Sequence, residues 1–294
     1  MHIVTDTGTD SILAMEPGEN LPIQRVPLVV TLEGKSYREG VDIDPPEFYR
    51  LLQAADTLPT TSQPSTGEFV ETYRQLAATD PDILSIHMSS GLSGTYNSAV
   101  AAAEMVPEAR VTCVDTKTLS VGAGWQVVAA ARAAKAGWPL DRILDLVRRI
   151  GAATDSLYTL QELKYLIHGG RISHMKGLVA SLLNIKPLIG VEKVNGTYAQ
   201  RGQARTFARA VEGLAELITR QHPVGSSLRV QVLHSNNPEG ASMLREQVDL
   251  RFECAWLPAG HLSLVLGAHT GPTMVGVAYA PASVFAEAVA PSAA

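Results

Sequence analysis

The sequence predicts an α/β fold in two domains, with parallel or mixed sheets covered by helices. Three observations carry the prediction. Through the first half, apolar runs of strand length alternate with helical periods. Near Ala152–Asp155 the helical period stops and Ser156–Leu160 resumes a strand, which divides the chain into residues 1–154 and 155–294. Within the first half, Ser89-Ser90-Gly91-Leu92-Ser93-Gly94-Thr95-Tyr96 joins the strand Ile83–Met88 to an alanine-rich helix, Tyr96–Met105. Hydroxyls and glycines thus crowd the crevice beyond a strand's carboxyl end, where α/β proteins seat ligands. Free N–H groups at a helix start, beside small hydroxyl donors, favour an anion. The turn is expected to dock something small and negatively charged.

Composition agrees with this class. The 294 residues suit two domains of ordinary size, and 46% hydrophobic against 18% charged residues provides a substantial core and excludes wholesale disorder. A net charge of −5, with no block of Lys or Arg, excludes a nucleic-acid footprint. The start His2–Asp6 lacks the basic and apolar regions of a signal peptide. Thr118–Ala131 is too short for a membrane span, and Cys254–Ala286 is broken by Pro258, Pro272 and Pro281, so neither offers ~20 continuous apolar residues. Cys113 and Cys254 lie far apart and are read as buried free thiols of a cytoplasmic protein.

Taken in order, His2–Thr5 reads as the first strand and Asp6–Ser11 as its polar exit loop. That loop resembles an Asp-based metal or phosphoryl-transfer loop; the simpler account has Asp10 or Thr9 capping the next helical turn. Val26–Thr31 is a β-rich run, and Leu32–Ser36 a turn leading to Tyr37. Asp44-Pro45-Pro46-Glu47 starts a helix to about Ala55, with Asp44 as cap, Pro45 in the first helical position and Glu47 closing a capping box. Thr60–Ser65 is a second hydroxyl-rich loop, and Ser65-Thr66-Gly67-Glu68 repeats the capping signal for a helix through Ala77. Paired with the Ser89–Thr95 turn, this loop is a candidate second wall of one anion pocket. Val111–Asp115 is a strand, Leu119–Lys135 a mostly apolar helix, and Pro139–Ile150 an amphipathic one.

The second half opens on Leu163–Ser173, where Gly169 and Gly170 allow close backbone approach before Arg171. The Arg171 guanidinium suits either a carboxylate or phosphate, or hydrogen bonds that hold the two domains together. Gly177–Ile185 is read as helical, Pro187–Glu192 as a strand, and Asn195-Gly196 as a hairpin signal. Ala204–Arg220 has its apolar residues at helical spacing. Leu228–His234 and Phe252–Leu257 are strands flanking a helix that starts at Asn237-Pro238. Leu262–His269 and Met274–Tyr279 are read as closing strands joined by a His269-Thr270-Gly271-Pro272 turn, and the tail after Pro281 is expected to fray. His269 is either a core histidine satisfied by backbone or a ligand contact.

Several chemistries find little support. Gly91-Leu92-Ser93-Gly94-Thr95 approaches a nucleophile elbow, but Thr95 stands where that motif needs glycine. No dinucleotide fingerprint follows the first strand, no P-loop is present, and no His/Cys spacing suggests a metal.

Six motifs in order resemble the DegV family of bacterial fatty-acid-binding proteins, and the likeness runs to about residue 280. They are Thr5-Asp6-Thr7, Thr61-Ser62-Gln63-Pro64-Ser65, Ser90–Tyr96, Gly169-Gly170-Arg171-Ile172-Ser173, Asn184-Ile185-Lys186-Pro187 and His269-Thr270-Gly271-Pro272. The resemblance implies two α/β domains with a long-chain fatty acid in a tunnel at their junction. By similarity, Thr61 and Ser93 donate hydroxyl hydrogen bonds to its carboxylate, with Ser62 and Gly94 beside them and His269 close by. Arg171 and Arg201 match family arginines near the head group and are assigned to the site or to partner docking. The implied partner is a dihydroxyacetone-kinase-like fatty acid kinase that phosphorylates the carboxylate, with transient membrane contact. No metal or cofactor and no independent catalysis is implied. The rival reading is an acyl hydrolase using Ser93; a lipid-occupancy sensor is a third. Thr273 departs from the family's usual glycine and His168 from its usual lysine, so the turn beside His269 is where the pattern is weakest.

Overall fold

The computed structural model describes residues 1–175 and 185–289. In chain order the strands are β1 (His2–Asp6), β2 (Ile23–Val26), β3 (Val29–Leu32), β4 (Lys35–Arg38), β5 (Thr60–Ser62), β6 (Asp82–His87), β7 (Arg110–Asp115), β8 (Asp155–Thr159), β9 (Lys186–Val191), β10 (Tyr198–Ala204), β11 (Ser227–His234), β12 (Glu253–Trp256), β13 (Gly260–His261) and β14 (Val275–Pro281). The helices are α1 (Pro45–Ala54), α2 (Thr66–Ala77), α3 (Thr95–Glu104), α4 (Ser120–Lys135), α5 (Leu140–Ala153), α6 (Lys164–His168), α7 (Phe207–Thr219), α8 (Pro238–Asp249) and α9 (Leu264–Thr270). The helix expected at Gly177–Ile185 falls almost wholly outside the described residues.

The strands form three sheets. A parallel sheet has the order β2-β1-β6-β7. A mixed sheet follows the order β10-β9-β8-β14-β11-β12, with β13 also on β11. A small antiparallel sheet, β4-β3-β5, bridges toward the site. Helices α2 and α3 cover the outer face of the parallel sheet, and α7 and α8 the outer face of the mixed one. Between the sheets lie α4 and α5. Helix α4 is apolar almost all round and buries 13 of its 16 residues, as a helix packed on every side must. One continuous core therefore runs from Ile3 and Leu84 through Trp125 to Tyr158 and Ala278.

The helix starts hold, with one correction: Asp44 accepts the Glu47 N–H but Glu47 does not return the bond, whereas Ser65 and Glu68 form a reciprocal capping box. Several readings need correction. Val26–Thr31 is two strands in two sheets, divided by Pro27, which has no N–H to continue a ladder. Thr60–Ser62 is a strand rather than a loop, because the edge of β3 is there to receive it. Leu262–His269 is mostly the helix α9: a short apolar run fits a buried helix as well as a strand, and tertiary caps decide it. Neither Thr9 nor Asp10 caps a helical turn, since Thr9 bonds the Asp6 carbonyl and Asp10 the Ser120 hydroxyl. Past Pro281 the chain does not fray at once but turns helical through Val289. The cysteines are free but half-buried, and burial pushes both thiols up to about 11.

Candidate functional site

In the parallel sheet the chain leaves β1 toward β2 on one side and reaches β6 and β7 on the other, so the switch point lies beyond Asp6 and His87. A fully buried network braces it. His87 Nδ1 lies 3.0 Å from Asp6 Oδ2 and His87 Nε2 lies 2.7 Å from Ser85 Oγ, with Tyr73 OH 2.8 Å from the same oxygen. Asp6 Oδ2 also accepts the Met88 N–H at 3.0 Å. The partners mimic a Ser-His-Asp triad, yet Asp6, Ser85 and His87 have no exposed surface. Their role is to fix the strand end from which the Ser89–Thr95 turn departs; sequence reading named Asp6 in the exit loop but missed its bond to His87, 81 residues away.

That turn is shaped by two glycines. A Cβ on Gly91 would meet the Asn195 carbonyl oxygen at 2.2 Å, so the β9–β10 hairpin packs directly on it. A Cβ on Gly94 would meet Gln63 Oε1 at 2.2 Å, and Gln63 instead lies across the start of α3 to bond Ser98 Oγ at 3.0 Å. Gly94, named as a site residue, does not line the cavity; it makes room for Gln63, which does. Ser93 Oγ lies 2.8 Å from Thr95 Oγ1.

From the second half, α9 carries His269 to the same place. Its Nε2 lies 2.8 Å from Thr61 Oγ1, so residues 208 apart in sequence meet on one hydrogen bond. The helix is started by a tertiary cap: the buried Glu39 carboxylate accepts the Ser263 hydroxyl and the Leu264 N–H. It ends at Gly271, in the left-handed region with φ 76°, where a Cβ would strike the Tyr165 ring. Thr273 leaves this turn intact, its hydroxyl accepting the Gln161 N–H at 3.1 Å and its carbonyl the Asn237 amide at 2.8 Å. The Gly169-Gly170-Arg171 segment then crosses the imidazole. A Cβ on Gly169 would come within 2.0 Å of His269 Nδ1, and Gly170 takes φ 74° to turn the chain. Arg171 folds back to donate to the Gly169 carbonyl at 2.6 Å and reaches toward the Leu92 carbonyl at 3.4 Å. Arg171 thus ties the halves together, and its guanidinium also lines the cavity.

Thr61, Ser62, Ser93, Arg171 and His269 line one cavity of about 270 Å³, floored by Leu28, Met88, Leu92 and Val265. Burial, then the Arg171 and His168 charges, hold His269 down to about 3, so its imidazole is neutral. A helix carboxyl end favours imidazolium by only ~0.3–1 kcal/mol, too little to reverse desolvation beside a guanidinium. The cavity thus presents hydroxyls, a neutral imidazole and one fixed positive charge. Arg201 is elsewhere: it lines a cleft with Arg209, Glu212 and Arg220 and approaches the Val191 carbonyl.

Sequence reading named no wall for the apolar part of the site. Tyr198 and Leu266 line both the polar cavity and a narrow apolar seam of about 40 Å³, which continues past Tyr158, Leu233, Met274 and Ala278 toward Ser156 and Val191. These positions come from six separate strands and helices and the turn at Met274, and apart from Ser156 each alone is ordinary core.

The DegV family model, described as an uncharacterised protein family, matches residues 1–282. The chain belongs to the DegV family. A DegV domain-containing protein of Listeria innocua is 32% identical over 278 residues, covering 94% of this chain and 97% of that one. Protein DegV of Bacillus subtilis is 30% identical over 281 residues, covering 95% and 99%. Among solved structures, a DegV family protein from Thermus thermophilus described for fatty acid binding superposes with a TM-score of 0.83 at 30% identity, covering 95% of this chain and 99% of that one. DegV of B. subtilis, a fatty acid binding protein, gives 0.82 at 27%, covering 95% and 98%. The α/β architecture of this DegV protein is theirs.

Proposed function

We propose that this DegV protein binds one long-chain fatty acid at the junction of two domains, residues 1–154 and 155–294, and presents its carboxylate to a cytoplasmic fatty acid kinase of the dihydroxyacetone-kinase type. One observation carries the reading: a polar cavity holding Thr61, Ser93, His269 and Arg171 adjoins an apolar seam, with Tyr198 and Leu266 as the wall they share. Relatives of the same fold bind fatty acids. The carboxylate is taken by the Thr61 and Ser93 hydroxyls, with Ser62 at the rim, His269 holding Thr61 in place and the Arg171 charge nearby. The acyl chain follows the seam, whose side chains turn aside to admit it, the flexible Met274 first.

The energies divide unequally. About fourteen methylenes at ~0.8 kcal/mol each bring on the order of 11 kcal/mol before ordering costs. Two or three hydrogen bonds to a charged head bring ~1.5–3 kcal/mol each. Affinity is set by the chain, orientation by the hydroxyls. The hydrolase alternative lacks a supporting geometry: among the described residues Ser93 Oγ bonds Thr95, and His269 bonds Thr61.

Native mass spectrometry of the purified protein, followed by denaturing lipid extraction, tests the reading. A one-to-one increment that extracts as a free C14–C18 acid is expected; a protein that stays empty after incubation with such acids refutes it. For the kinase step, hydroxylamine trapping of acyl phosphate should need ATP, a kinase of this class and the loaded protein together. Trapping from the kinase and free acid alone would remove the presenting role.

A further inference from the structure

The apolar seam carries five hydroxyls on its wall, from Ser120, Ser156, Tyr158, Tyr198 and Thr270, that can be sorted by partner. Ser120 gives its proton to the Asp10 carboxyl, and Thr270 bonds the Leu266 carbonyl one helical turn back. Among the described residues, Ser156 Oγ and Tyr158 OH are buried without a partner at hydrogen-bond geometry; burial first, and the neighbouring Tyr198 hydroxyl second, push Tyr158 well above its ordinary range. Both stand on β8 two residues apart, so both side chains emerge on the same face, ~6.6–6.8 Å from one another along the strand. Tyr158 packs edge-on against Tyr198, the residue at the mouth of the seam, with ring centroids 5.3 Å apart. Ser156 stands at the far end of the seam, against Val191 and the start of α4, where the half-buried residue also lines a cleft with Asp155 and Lys193. Space around it is kept open by Gly122, whose Cβ would come within 2.8 Å of Ser156 Oγ.

A tunnel evolved for plain hydrocarbon gains nothing from orphaned hydroxyls. Each one left unpaired costs the desolvation of a polar group, and alanine or phenylalanine at these positions would avoid it. A chain that carries its own oxygen reverses the sign, because two groups that are each poor in an apolar seam satisfy one another. Discrimination built on a buried hydrogen bond is also far sharper than discrimination by methylene count. We infer that Ser156 and Tyr158 form a polar subsite in the acyl seam, which selects fatty acids bearing a hydroxyl or keto oxygen along the chain. The inference rests on the proposed fatty-acid reading and adds the class of acid.

The experiment is competition binding to the full-length protein with stearate, 10-hydroxystearate, 12-hydroxystearate and 18-hydroxystearate, repeated with Ser156→Ala, Tyr158→Phe and the double variant. At least one hydroxy acid should bind about tenfold more tightly than stearate, the equivalent of ~1.4 kcal/mol. The double variant should lose that preference, its hydroxy acids binding no more tightly than its stearate. Stearate binding tightly with every hydroxy acid weaker overturns the polar subsite and leaves the carrier standing, as does a preference that survives the double variant. Failure of stearate and the hydroxy acids alike overturns the fatty-acid reading itself. The comparison within the unmodified protein decides the matter even if a variant does not fold.

Discussion

The polar cavity and the apolar seam meet at Tyr198 and Leu266, yet they are built on opposite principles. In the cavity each functional side chain is held by another: Thr61 by His269, Ser93 by Thr95, Arg171 by the Gly169 carbonyl. Its backbone approaches are so close that Gly91, Gly94 and Gly169 have no room for a Cβ. The seam is walled by ordinary core residues, with little space and two unpaired hydroxyls. Hydrogen bonds are directional and short-ranged, so a head-group site must be preorganised; apolar burial is additive and non-directional, so its wall can yield. The difference predicts that damage to the seam costs affinity, and damage to the cavity costs geometry.

The largest effect should follow from blocking the seam. Ala278 is buried on β14 and faces it, and Ala278→Leu fills the path of the chain. Fatty-acid affinity should fall more than a hundredfold, while overpacking costs ~1–3 kcal/mol of stability. Isothermal titration beside a thermal melt separates the two; unchanged affinity in a folded variant would move the acyl chain out of the seam.

This contrast also explains what was legible in the sequence. The cavity's residues carry signatures, because hydroxyls, glycines and a capping box are local chemistry: Ser65–Glu68 and the Ser89–Thr95 turn were readable on sight. The seam's residues have no signature, since Leu233, Met274 and Ala278 look like any core. Helix α9 was misread as a strand because its cap is Glu39, about 225 residues away, and no local rule contains such a partner. The bond between Thr61 and His269 was similarly out of reach, although both residues were named. Arg201 shows the opposite limit: a family position carried over as site or partner docking lies in another cleft, away from the Thr61–His269 cavity.

Next in size is Gly169→Ala. The new methyl would sit within 2.0 Å of His269 Nδ1, so the imidazole must leave Thr61. Affinity should drop some tens of fold, with the Thr61 hydroxyl freed from its partner. Gly170, with φ 74° and open space around it, gives the control: Gly170→Ala strains the backbone and lowers stability but should spare binding. Equal affinity losses in both variants would mean that His269 does not organise the cavity.

Ser93→Ala should be milder for binding, about tenfold, because it removes one hydrogen bond to a charged head. Its effect on phosphorylation should be larger, since a carboxylate free to rotate no longer meets the kinase in one pose. Steady-state phosphorylation measured at saturating acid, beside equilibrium binding, checks this; losses of equal size would cancel the separation of affinity from orientation.

The smallest effect concerns pH. With His269 held down to about 3 by burial and by Arg171, its imidazole stays neutral from pH 6 to 8 in the free protein. Affinity for a fatty acid should therefore change less than twofold over that range. Stability behaves differently. The unfolded chain gains a proton at this histidine near pH 6.5, and the folded chain refuses it until about 3. The unfolded state thus binds more protons in that window, and stability contributed above pH 6.5 drains away as the pH falls toward 3. His269→Gln removes the titrating group and should flatten this part of the curve, measured by urea denaturation at pH 7, 5 and 4. An unchanged slope would place the acid sensitivity in other groups, and a marked loss of affinity between pH 6 and 8 in the unmodified protein would show an imidazolium at the head-group site. The cavity would then hold its anion by charge rather than by preorganised hydroxyls, and the contrast with the seam would rest on electrostatics alone.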